Sequence, residues 1–505
     1  MAPEGKYRED SAVTSLWLDR DRLDVPTTAL RGQRYDVVVV GAGLTGLSTA
    51  LLLTRAGCSV AIVEAGQVGA GTTGRTTAKL SLLQGTRLST IGRRQPAETV
   101  RRYVDANREG QAWLLRYCDE HDVPYQSRPA YTYAGTAAGR QPVENELTAC
   151  VAAGLPAEFV EDTELPLPVF GAVRLGGQAQ FDPMDVLTAL AQDVLSRDGT
   201  IVEGSRVRQI HPGKVSTVVT DTGTVRADRI VLATGIPIMD RGGFFARLEP
   251  LRSYVATFRP AGSIPEGMYL SADSPSRSVR SVPTTDGELL MTGGNGHVVG
   301  RQSPTSELVR DLQAWTGKHW PGAELTHSWS AQDYHSMHEL PYAGPLTPGH
   351  DRILVATGYD KWGMTNAVAA ALSLTGQLLG GHIEWASALQ SWTTKELTGA
   401  LPAAKLNAEV AGHLAAGWLK PLLSKPDRLD PAEGSGRVER GGVTPVAVCT
   451  VDGRTQRRSA VCTHLHGLVS WNDAERSWDC PLHGSRFAAD GSVLEGPATD
   501  DLRPA

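Results

Sequence analysis

The sequence predicts an α/β fold built on a buried β-α-β unit, with a small all-β module at its C-terminal end. An apolar run, 37–40, leads directly into glycines in G-x-G-x-x-G spacing and then into helical periodicity. Strand-like and helix-like segments follow one another over most of the chain, as in α/β proteins. Past residue 437 only short strand-like runs remain, which indicates a separate β module.

The β-α-β unit, residues 35–64, has the features of a dinucleotide-binding site. Gly41 permits a tight turn, Gly43 lets the backbone approach a pyrophosphate, and Gly46 lets the helix pack on the strand. The helix N-terminus offers N–H groups and partial positive charge to phosphates. Glu64 ends the second strand, about 20 residues on, where an acid can accept a ribose hydroxyl. We therefore expect dinucleotide binding rather than a plain glycine-rich turn.

Length and composition indicate a globular protein of two or three domains. The 505 residues carry a net charge of −6, which gives no electrostatic case for nucleic acid or an anionic membrane. No apolar run is long enough for a membrane helix, and the polar N-terminus lacks the apolar core of a signal peptide. Six cysteines in so long a chain do not make a disulfide scaffold, so we expect a cytoplasmic protein.

The elements between the two motifs follow in order. Residues 1–34 are expected to pack on the first domain as a lead-in. Segment 69–79 is too rich in Gly and Thr for a regular element, and either binds phosphate through N–H and hydroxyl groups or is an ordinary surface loop. Helical spacing predicts a long helix over 95–120. Asp182 and Pro183 are a plausible cap and first turn of the next helix.

The second half contains strands and one misleading glycine motif. Strands are predicted within 201–220, 225–235, 252–259 and 289–292, and a strand, glycine turn and helix over 353–371. The glycines of 294–300 mimic a second dinucleotide loop, but 301–304 interrupts the helix that should follow. A dedicated NAD(P)H domain is therefore not visible. A helix over 401–423 and a turn-rich linker over 424–437 precede the β module.

The C-terminal module contains a metal-ligand pattern. Cys462-x-His464 is followed after fifteen residues by Cys480-x-x-His483, so each loop gives one thiolate and one imidazole. A Rieske 2Fe–2S centre needs this set, with cysteines on one iron and histidines on the other. A structural Cys₂His₂ zinc site is the alternative, but its cysteines and histidines usually pair like with like along the chain. His466 falls outside the spacing, and the other four cysteines are expected to be buried thiols.

Taken together, these motifs resemble a known combination. The loops CTHLHG and CPLHGSRF resemble a Rieske ferredoxin-type domain, and residues 35–400 resemble FAD-dependent oxidoreductases of the D-amino-acid oxidase and glycine oxidase superfamily. The motifs that carry the second resemblance are GAGLTGLS, VEA, GTTGRTTAK, FDP, LATG and ATGYDKWGMT. The resemblance implies a Rossmann-like FAD-binding domain of the glutathione-reductase type, an interleaved antiparallel-sheet substrate domain, and a small all-β Rieske domain.

The implied boundaries can be stated. The FAD-binding segments would be about 35–95, 182–240 and 345–385, and the substrate-domain segments about 96–181 and 241–344. Residues 401–437 would be helix and linker, and 438–505 the Rieske domain. The FAD-binding positions that the resemblance implies are Gly41, Gly43, Gly46, Glu64, Ala65, Thr72, Thr73, Arg75, Thr77, Ala78, Val207, Ala233, Thr234, Gly235, Gly358, Gly363, Met364 and Thr365.

The cluster loops depart from many Rieske proteins in two ways. Gly467 and Leu482 occupy the places of two cysteines that are often joined beside the cluster. Ser485 is present, but Phe487 replaces a tyrosine whose hydroxyl high-potential members use. Because fewer hydrogen bonds would reach the cluster sulfurs, we expect a reduction potential in the low part of the Rieske range.

The implied reaction is oxidation of the C–N bond of a small amine or amino acid-like substrate at FAD, with electrons relayed through the Rieske cluster to a possible redox partner protein. The principal candidate substrate contacts are Tyr254, His297, His335 and Arg252, the last for a carboxylate, and Tyr359 lies on a segment of the same kind. His338 and Lys361 are weaker candidates. One alternative is an electron-transfer reductase that passes electrons between FAD, the cluster and a partner enzyme. A Rieske oxygenase is disfavoured because no large iron domain follows the module. A binding protein with structural zinc is the last alternative.

Overall fold

The structure is a computed structural model that describes residues 14–393 except 22 and 27, residues 403–408, 410, 412 and 418, and residues 429–505 except 442 and 443. The predicted lead-in over 1–34 lies partly outside the described residues. The predicted helix over 401–423 lies largely outside them, as do residues 424–428 of the predicted linker over 424–437. Among the helices that are described, none has the length and apolar character needed to cross a bilayer.

The helices begin close to where their sequence signals predict. Asp182 caps α5 by accepting a hydrogen bond from the Met184 N–H at 2.8 Å, and Pro183 is the first helical residue. The helix predicted over 95–120 is α3. The α-helices within the described residues are α1 (Leu44–Arg55), α2 (Arg87–Gly92), α3 (Ala97–Glu120), α4 (Arg140–Ala152), α5 (Pro183–Ser196), α6 (Ser306–His319) and α7 (Gly363–Leu378).

The first sheet has eight strands and contains the predicted β-α-β unit. Its strands are β1 (Arg31–Val40), β2 (Val60–Val63), β7 (Thr200–Val202), β8 (Val207–His211), β9 (Ser216–Thr220), β10 (Gly223–Leu232), β16 (Tyr342–Thr347) and β17 (His350–Thr357). The order is β16-β17-β10-β1-β2-β7, with β9 also paired to β10 and β8 to β9. The strands from β17 to β7 are parallel, so their carboxyl ends meet at one edge, where ligands bind in such sheets.

The second sheet has nine strands, taken from the segments that separate the strands of the first. Its strands are β3 (Lys79–Leu80), β4 (Tyr125–Tyr133), β5 (Glu158–Val160), β6 (Ala172–Phe181), β11 (Leu248–Arg259), β12 (Met268–Ser271), β13 (Arg277–Thr284), β14 (Gly287–Val298) and β15 (Glu324–Ser336). The order is β15-β11-β14-β13-β12-β4-β6-β3, with β5 on β6, and most pairs are antiparallel. Residues 294–298, which mimic a second dinucleotide loop, lie in β14 paired with β11.

The C-terminal module consists of two small antiparallel sheets. The first contains β18 (Gly436–Glu439), β19 (Val446–Val451) and β20 (Arg454–Ser459), and the second β21 (Ser470–Asn472), β22 (Ser477–Asp479), β23 (Arg486–Ala488) and β24 (Val493–Glu495). Trp478 and Phe487 are fully buried in its core. The predicted fold class, with an α/β part, an interleaved second sheet and a C-terminal β module, is confirmed. The predicted domain boundaries stay a prediction.

Candidate active site: a flavin cavity and a cluster site

A cavity of about 690 Å³ lies at the carboxyl edge of the parallel strands and extends to the second sheet. Most of the residues that the resemblance assigns to FAD line it. They are Gly41, Gly43, Glu64, Ala65, Thr72, Thr73, Arg75, Thr77, Val207, Ala233, Thr234, Gly235, Gly363 and Met364. The other four, Gly46, Ala78, Gly358 and Thr365, do not line it. One cavity therefore gathers loops that are more than 300 residues apart in the sequence.

The glycine turn has no room for a side chain at Gly41 or Gly46. A Cβ at Gly46 would lie 1.9 Å from the Gly41 carbonyl oxygen, so this glycine serves helix–strand packing. Gly41 has a φ of 105°, and a Cβ there would lie 2.6 Å from the Ala233 carbonyl oxygen. The first turn of α1 has neither a side-chain cap nor an acidic residue. Its N-terminus therefore presents positive charge to the cavity, which suits a pyrophosphate.

The acid at the end of β2 is held by the same turn. Glu64 is buried in the cavity wall and accepts hydrogen bonds from the N–H groups of Ala42 and Gly66, both at 2.8 Å. Burial raises the pKa of Glu64 above its ordinary value, although these two hydrogen bonds oppose the shift. Its carboxylate is fixed beside the cavity, and the donor set of the turn fits the ribose and phosphates of FAD.

The Gly- and Thr-rich segment is a structured wall rather than a free surface loop. Thr72 Oγ1 donates to the Gln332 carbonyl at 2.7 Å, and Thr73 Oγ1 accepts from the Leu44 N–H at 3.2 Å. The Arg280 guanidinium donates to the carbonyls of Thr77 and Ala78 at 2.7 and 2.9 Å. These contacts hold the segment between α1 and the second sheet.

A second helix N-terminus faces the other end of the cavity. Gly363 and Met364 begin α7 and line the cavity, and the first turn has no side-chain cap or acidic residue. Thr365 instead donates to Asn107 Oδ1 at 2.5 Å and is buried away from the cavity. The dipole of α7 favours negative charge at this end, as a reduced flavin would carry.

The only group of three or more potential metal ligands within 4.8 Å of one another in the described residues lies in the cavity wall. It contains His335, Glu339 and Asp360. Arg87 lies 2.6 Å from Glu339 and 2.7 Å from Asp360, so an arginine already compensates both carboxylates. Although burial opposes it, the Asp360 carboxylate 3.2 Å away raises the pKa of His335. The group is an ion-pair network and not a metal site.

Lys79 is a cavity residue that the sequence reasoning missed. Its Nζ donates to Ser278 Oγ at 2.6 Å and to the Tyr269 carbonyl at 3.2 Å. Within the described residues no acidic group pairs with it, and the charge that acts on it is the buried cation of Arg280. Burial and this neighbour lower the pKa of Lys79 to about 7. An isolated lysine at the end of a Gly- and Thr-rich segment gave no sequence signal beyond its position.

Two of the four principal substrate candidates lie outside the cavity lining. Arg252 is 1% exposed and forms a bidentate pair with Glu475 of the C-terminal module, at 2.5 and 2.6 Å. His297 pairs with it across β11 and β14, and the ring of Tyr254 stacks on His297 with centroids 5.6 Å apart. Because alternate residues of a strand face opposite sides, these side chains face the module. Arg252 and His297 are therefore not placed to contact a ligand in the cavity, contrary to the prediction.

The remaining candidates differ in position. His335 lines the cavity within the ion-pair network, and Tyr359 lines it with its hydroxyl 2.9 Å from Thr45 Oγ1. Lys361 also contributes to the wall. His338 stacks on Tyr342 outside it. Of the four principal candidates, Tyr254 and His335 line the cavity.

Arg252 belongs to a buried charge network that joins the module to the second sheet. This docking network consists of Arg252, Glu475, Asp479, Arg486 and Glu495. Burial alone would raise the pKa of Glu475, but Arg252 and Arg486 hold it well below its ordinary value. Every member has an opposite charge beside it, as buried charges require.

The four predicted cluster ligands come together as two pairs. The thiols of Cys462 and Cys480 are in hydrogen-bond contact, which lowers the pKa of Cys462 and raises that of Cys480. The rings of His464 and His483 lie with centroids 5.1 Å apart. No three of these four donor groups gather within 4.8 Å, as one tetrahedral zinc would need. A cysteine pair and a histidine pair fit the two irons of a Rieske cluster.

The surroundings of the cysteines show how the chain departs from many Rieske proteins at Gly467, Leu482 and Phe487. The N–H groups of His464 and Leu465 and the Ser485 hydroxyl lower the pKa of Cys462, so they stabilise negative charge on its sulfur. Phe487 is fully buried and offers no hydroxyl. A Cβ at Gly467 would lie 2.6 Å from Leu482 Cδ1. The two positions that replace the cysteines therefore face each other in contact.

The histidine side of the cluster site faces the flavin-binding part of the chain. His464 Nε2 lies 2.5 Å from Asp240 Oδ1, which leaves Nδ1 for iron. Phe245 packs edge-on against His483, with ring centroids 5.3 Å apart. Gln332, which lines the cavity, donates through Nε2 to the Gly484 carbonyl at 2.9 Å. One side chain thus spans from the cavity wall to the residue beside a cluster ligand.

Comparison with known proteins decides the family. The family model described as "DAO: FAD dependent oxidoreductase" matches residues 36–377, which is more than half of the chain. The chain belongs to the FAD-dependent oxidoreductase family. The model of the Rieske [2Fe-2S] domain matches residues 422–504 of this oxidoreductase. Its cofactors are accordingly FAD and a Rieske 2Fe–2S cluster.

Relatives of the oxidoreductase agree with this assignment. The Bacillus subtilis protein YhfW, described as a Rieske 2Fe-2S iron-sulfur protein, is 33% identical over 476 residues, covering 93% of this chain and 92% of that one. Glycine oxidase from Geobacillus kaustophilus has the same fold, with a TM-score of 0.60 and 19% identity over 71% of this chain and 99% of that one. An L-amino acid deaminase from Proteus myxofaciens superposes with a TM-score of 0.58 and 16% identity over 74% and 96%.

Proposed function

We propose that this oxidoreductase oxidises the C–N bond of a small amine or amino acid-like substrate at FAD and passes the electrons through its Rieske cluster. The observation that carries the relay is the position of Gln332. Its backbone carbonyl accepts a hydrogen bond from the Thr72 hydroxyl in the Gly- and Thr-rich segment 69–79, which we call the flavin loop. Its side-chain amide donates a hydrogen bond to the Gly484 carbonyl beside the cluster ligand His483. A Cβ at Gly484 would lie 2.5 Å from Pro250 Cβ, so the cluster loop meets the second sheet at backbone contact.

The cavity supports an amine substrate that also carries an anionic group. Lys79 is a buried cation in the cavity wall with no acidic partner among the described residues, so a substrate carboxylate can pair with it. Ser278 Oγ, 2.6 Å from Lys79 Nζ, fixes the direction of the ammonium. Glycine oxidase and L-amino acid deaminase, which share the fold, are named for substrates with both groups.

The reaction needs little proton chemistry from the protein. Bound FAD supplies the two-electron oxidation and can release electrons one at a time. A neutral amine loses a hydride equivalent from carbon and a proton from nitrogen to become an imine. Asp333 lines the cavity and has a pKa raised by burial to about 6, and His335 lies on the same strand. Either group can take the ammonium proton before oxidation.

The electron acceptor beyond the cluster is proposed to be a partner protein that takes single electrons. The cluster histidines are covered by Asp240 and Phe245 of this same chain, so this face serves exchange with FAD rather than with a partner. We also propose a cytoplasmic setting, supported by six cysteines of which none forms a disulfide.

An anaerobic titration tests the function. Purified protein loaded with FAD and cluster is mixed with NADH, NADPH and then a panel of amines and amino acids, while flavin absorbance and the Rieske EPR signal are recorded. We expect an amine to bleach the flavin and raise the EPR signal. Reduction by NADH or NADPH alone would contradict the proposal and favour a reductase that supplies a partner enzyme.

A variant without cluster ligands provides the control. Cys462→Ser with Cys480→Ser should still be bleached by the same amine, without an EPR signal. If the amine no longer reduced the flavin in this variant, the cluster would be needed for the chemistry itself and the relay as proposed would be incomplete.

A further inference from the structure

The wall of the flavin cavity is not made by the flavin-binding part alone. Five lining residues come from the C-terminal end of the Rieske module, namely Leu494, Glu495, Gly496, Ala498 and Thr499. They belong to β24 and the turn that follows it. The module that holds the cluster therefore also closes one side of the site that holds FAD.

Two arginines, Arg206 and Arg208, hold this segment through hydrogen bonds to its backbone carbonyls. The Arg206 guanidinium donates to the Val493 carbonyl at 2.9 Å and lines the cavity beside Glu64. Arg208 donates to the Thr499 carbonyl and does not line the cavity. Val207, between them, and Glu64, which is expected to accept a ribose hydroxyl, line the same part of the cavity wall. The segment of the module accordingly lies on the adenosine side of the cavity.

An ion pair also links the Rieske module to the flavin loop, on the side of the cavity expected to hold the FAD phosphates. Arg75, on the flavin loop, lies 3.6 Å from Glu495. Burial lowers the pKa of Arg75, and Glu495 is the largest charge that opposes this shift. Glu495 in turn pairs with Arg252 and Arg486 of the docking network. A phosphate beside Arg75 would therefore interact with the same charges that hold the module in place.

We propose that residues 493–499 of the Rieske module form part of the FAD-binding site, so that FAD binding and module docking stabilise each other. FAD bound in the cavity contacts both parts and favours the docked arrangement. Docking, in turn, supplies the missing wall and positions Arg75. Coupling of this kind is reciprocal, because each event changes the free energy of the other by the same amount.

The test is the affinity of the full-length, cluster-loaded protein for FAD in Arg208→Ala. This side chain holds the module through Thr499 and does not line the cavity. Its charge also acts on Arg206, as does the charge of Asp221, so a variant of Asp221 is needed as the control. FAD is removed, added back in steps, and followed by quenching of its fluorescence. Loss of one charge-assisted hydrogen bond predicts a dissociation constant about fivefold or more above wild type.

Asp221→Asn is the matched control. Asp221 is the other partner of Arg208, at 2.6 Å, and its removal leaves the bond to Thr499 in place. Its FAD affinity should stay within about twofold of wild type, since exposed pairs contribute little. The EPR signal of the cluster shows in each variant that the module is folded. An unchanged FAD affinity in Arg208→Ala would overturn the proposal.

Hydrogen exchange gives a second measurement that needs no variant. Amides of β24 in the wild-type protein should exchange more slowly with FAD bound than without it, whereas those of β20, on the other sheet of the module, should change little. Equal exchange in β24 with and without FAD would also overturn the proposal. Both readouts are independent of substrate and turnover, so they stand or fall separately from the proposed reaction.

Discussion

Two groups of buried charges in this molecule have opposite arrangements. In the docking network every charge has a partner of opposite sign. Arg252 of the second sheet pairs across to Glu475 and Glu495 of the Rieske module. At the cavity, the lining residue Lys79 and the buried Arg280 behind it are both cations, and their hydrogen bonds go to carbonyls and a hydroxyl. The first arrangement holds two parts of a protein together. The second leaves Lys79 without an acidic partner among the described residues, so an anion in the cavity would stabilise its charged form.

The two groups of charges also differ in how they affect the free energy of unfolding. Removing one member of a complete buried pair leaves the other charge uncompensated, which is strongly destabilising. Removing a buried cation that has no partner relieves a desolvation penalty instead. Substitutions in the docking network should therefore lower stability, whereas substitution of Lys79 should weaken ligand binding and leave stability nearly unchanged.

The largest expected effect is on stability in the docking network. Glu475→Gln leaves Arg252, which is 1% exposed, without its bidentate partner. We expect the free energy of unfolding to fall by about 3 kcal/mol in denaturant titrations. Asp452→Asn, in an exposed pair with Arg476 of the same module, should change it by less than about 1 kcal/mol. Equal effects of the two variants would contradict the assigned role of the network.

Lys79→Met should change ligand affinity and not stability. Benzoate, a carboxylate that cannot be oxidised at a C–N bond, should perturb the flavin spectrum of the wild-type protein more strongly than benzamide. In the variant its affinity should fall about 20-fold, which is typical of a lost charge-assisted hydrogen bond, while the unfolding free energy stays within about 1 kcal/mol. If Lys361→Met, which removes the other cavity lysine, abolished binding instead, Lys79 would not be the anion site.

The pKa of Lys79 predicts the pH dependence of the same binding. Because burial lowers the pKa to about 7, the ammonium is mostly charged at pH 6 and mostly neutral at pH 8 in the absence of a ligand. Benzoate affinity should therefore fall several-fold between these pH values. Asp333 and His335 also titrate in the cavity, so Lys79→Met is the control. A pH dependence that persists unchanged in that variant would assign it to those groups.

The smallest expected effect is at the cluster. The Ser485 hydroxyl contributes to the low pKa of Cys462, so it stabilises negative charge on the sulfur and favours the reduced cluster. Ser485→Ala should lower the reduction potential by about 30 mV, or about 0.7 kcal/mol for one electron. Redox titration followed by EPR measures it, with Ser492→Ala, exposed on the same module, as control. An unchanged or higher reduction potential would show that the Ser485 hydroxyl does not stabilise the reduced cluster.

Features that are local in the sequence could be predicted. The glycine turn, Glu64 and the spacing of the four cluster ligands each depend on a few neighbouring residues whose geometry is fixed by the chain itself. These features led to the fold class and the cofactors that family comparison confirms.

Features that depend on strand faces and on docking could not be predicted. Arg252 lies on a predicted strand, whereas His297 lies beyond the strand predicted over 289–292. A single sequence does not say which face of the second sheet the module covers. Lys79 has no partner nearby in sequence, because Ser278 is 199 positions away. The contribution of residues 494–499 to the cavity likewise depends on a contact between parts that are almost 300 residues apart.

The central claim is that FAD and the cluster exchange electrons within one chain, across Gln332. Stopped-flow mixing of the fully loaded protein with a reducing amine, without oxygen, tests it most directly. The account predicts that cluster reduction follows flavin bleaching at a rate that does not change when the protein is diluted tenfold. A rate that falls in proportion to protein concentration, or a cluster that stays oxidised while the flavin is bleached, would contradict it.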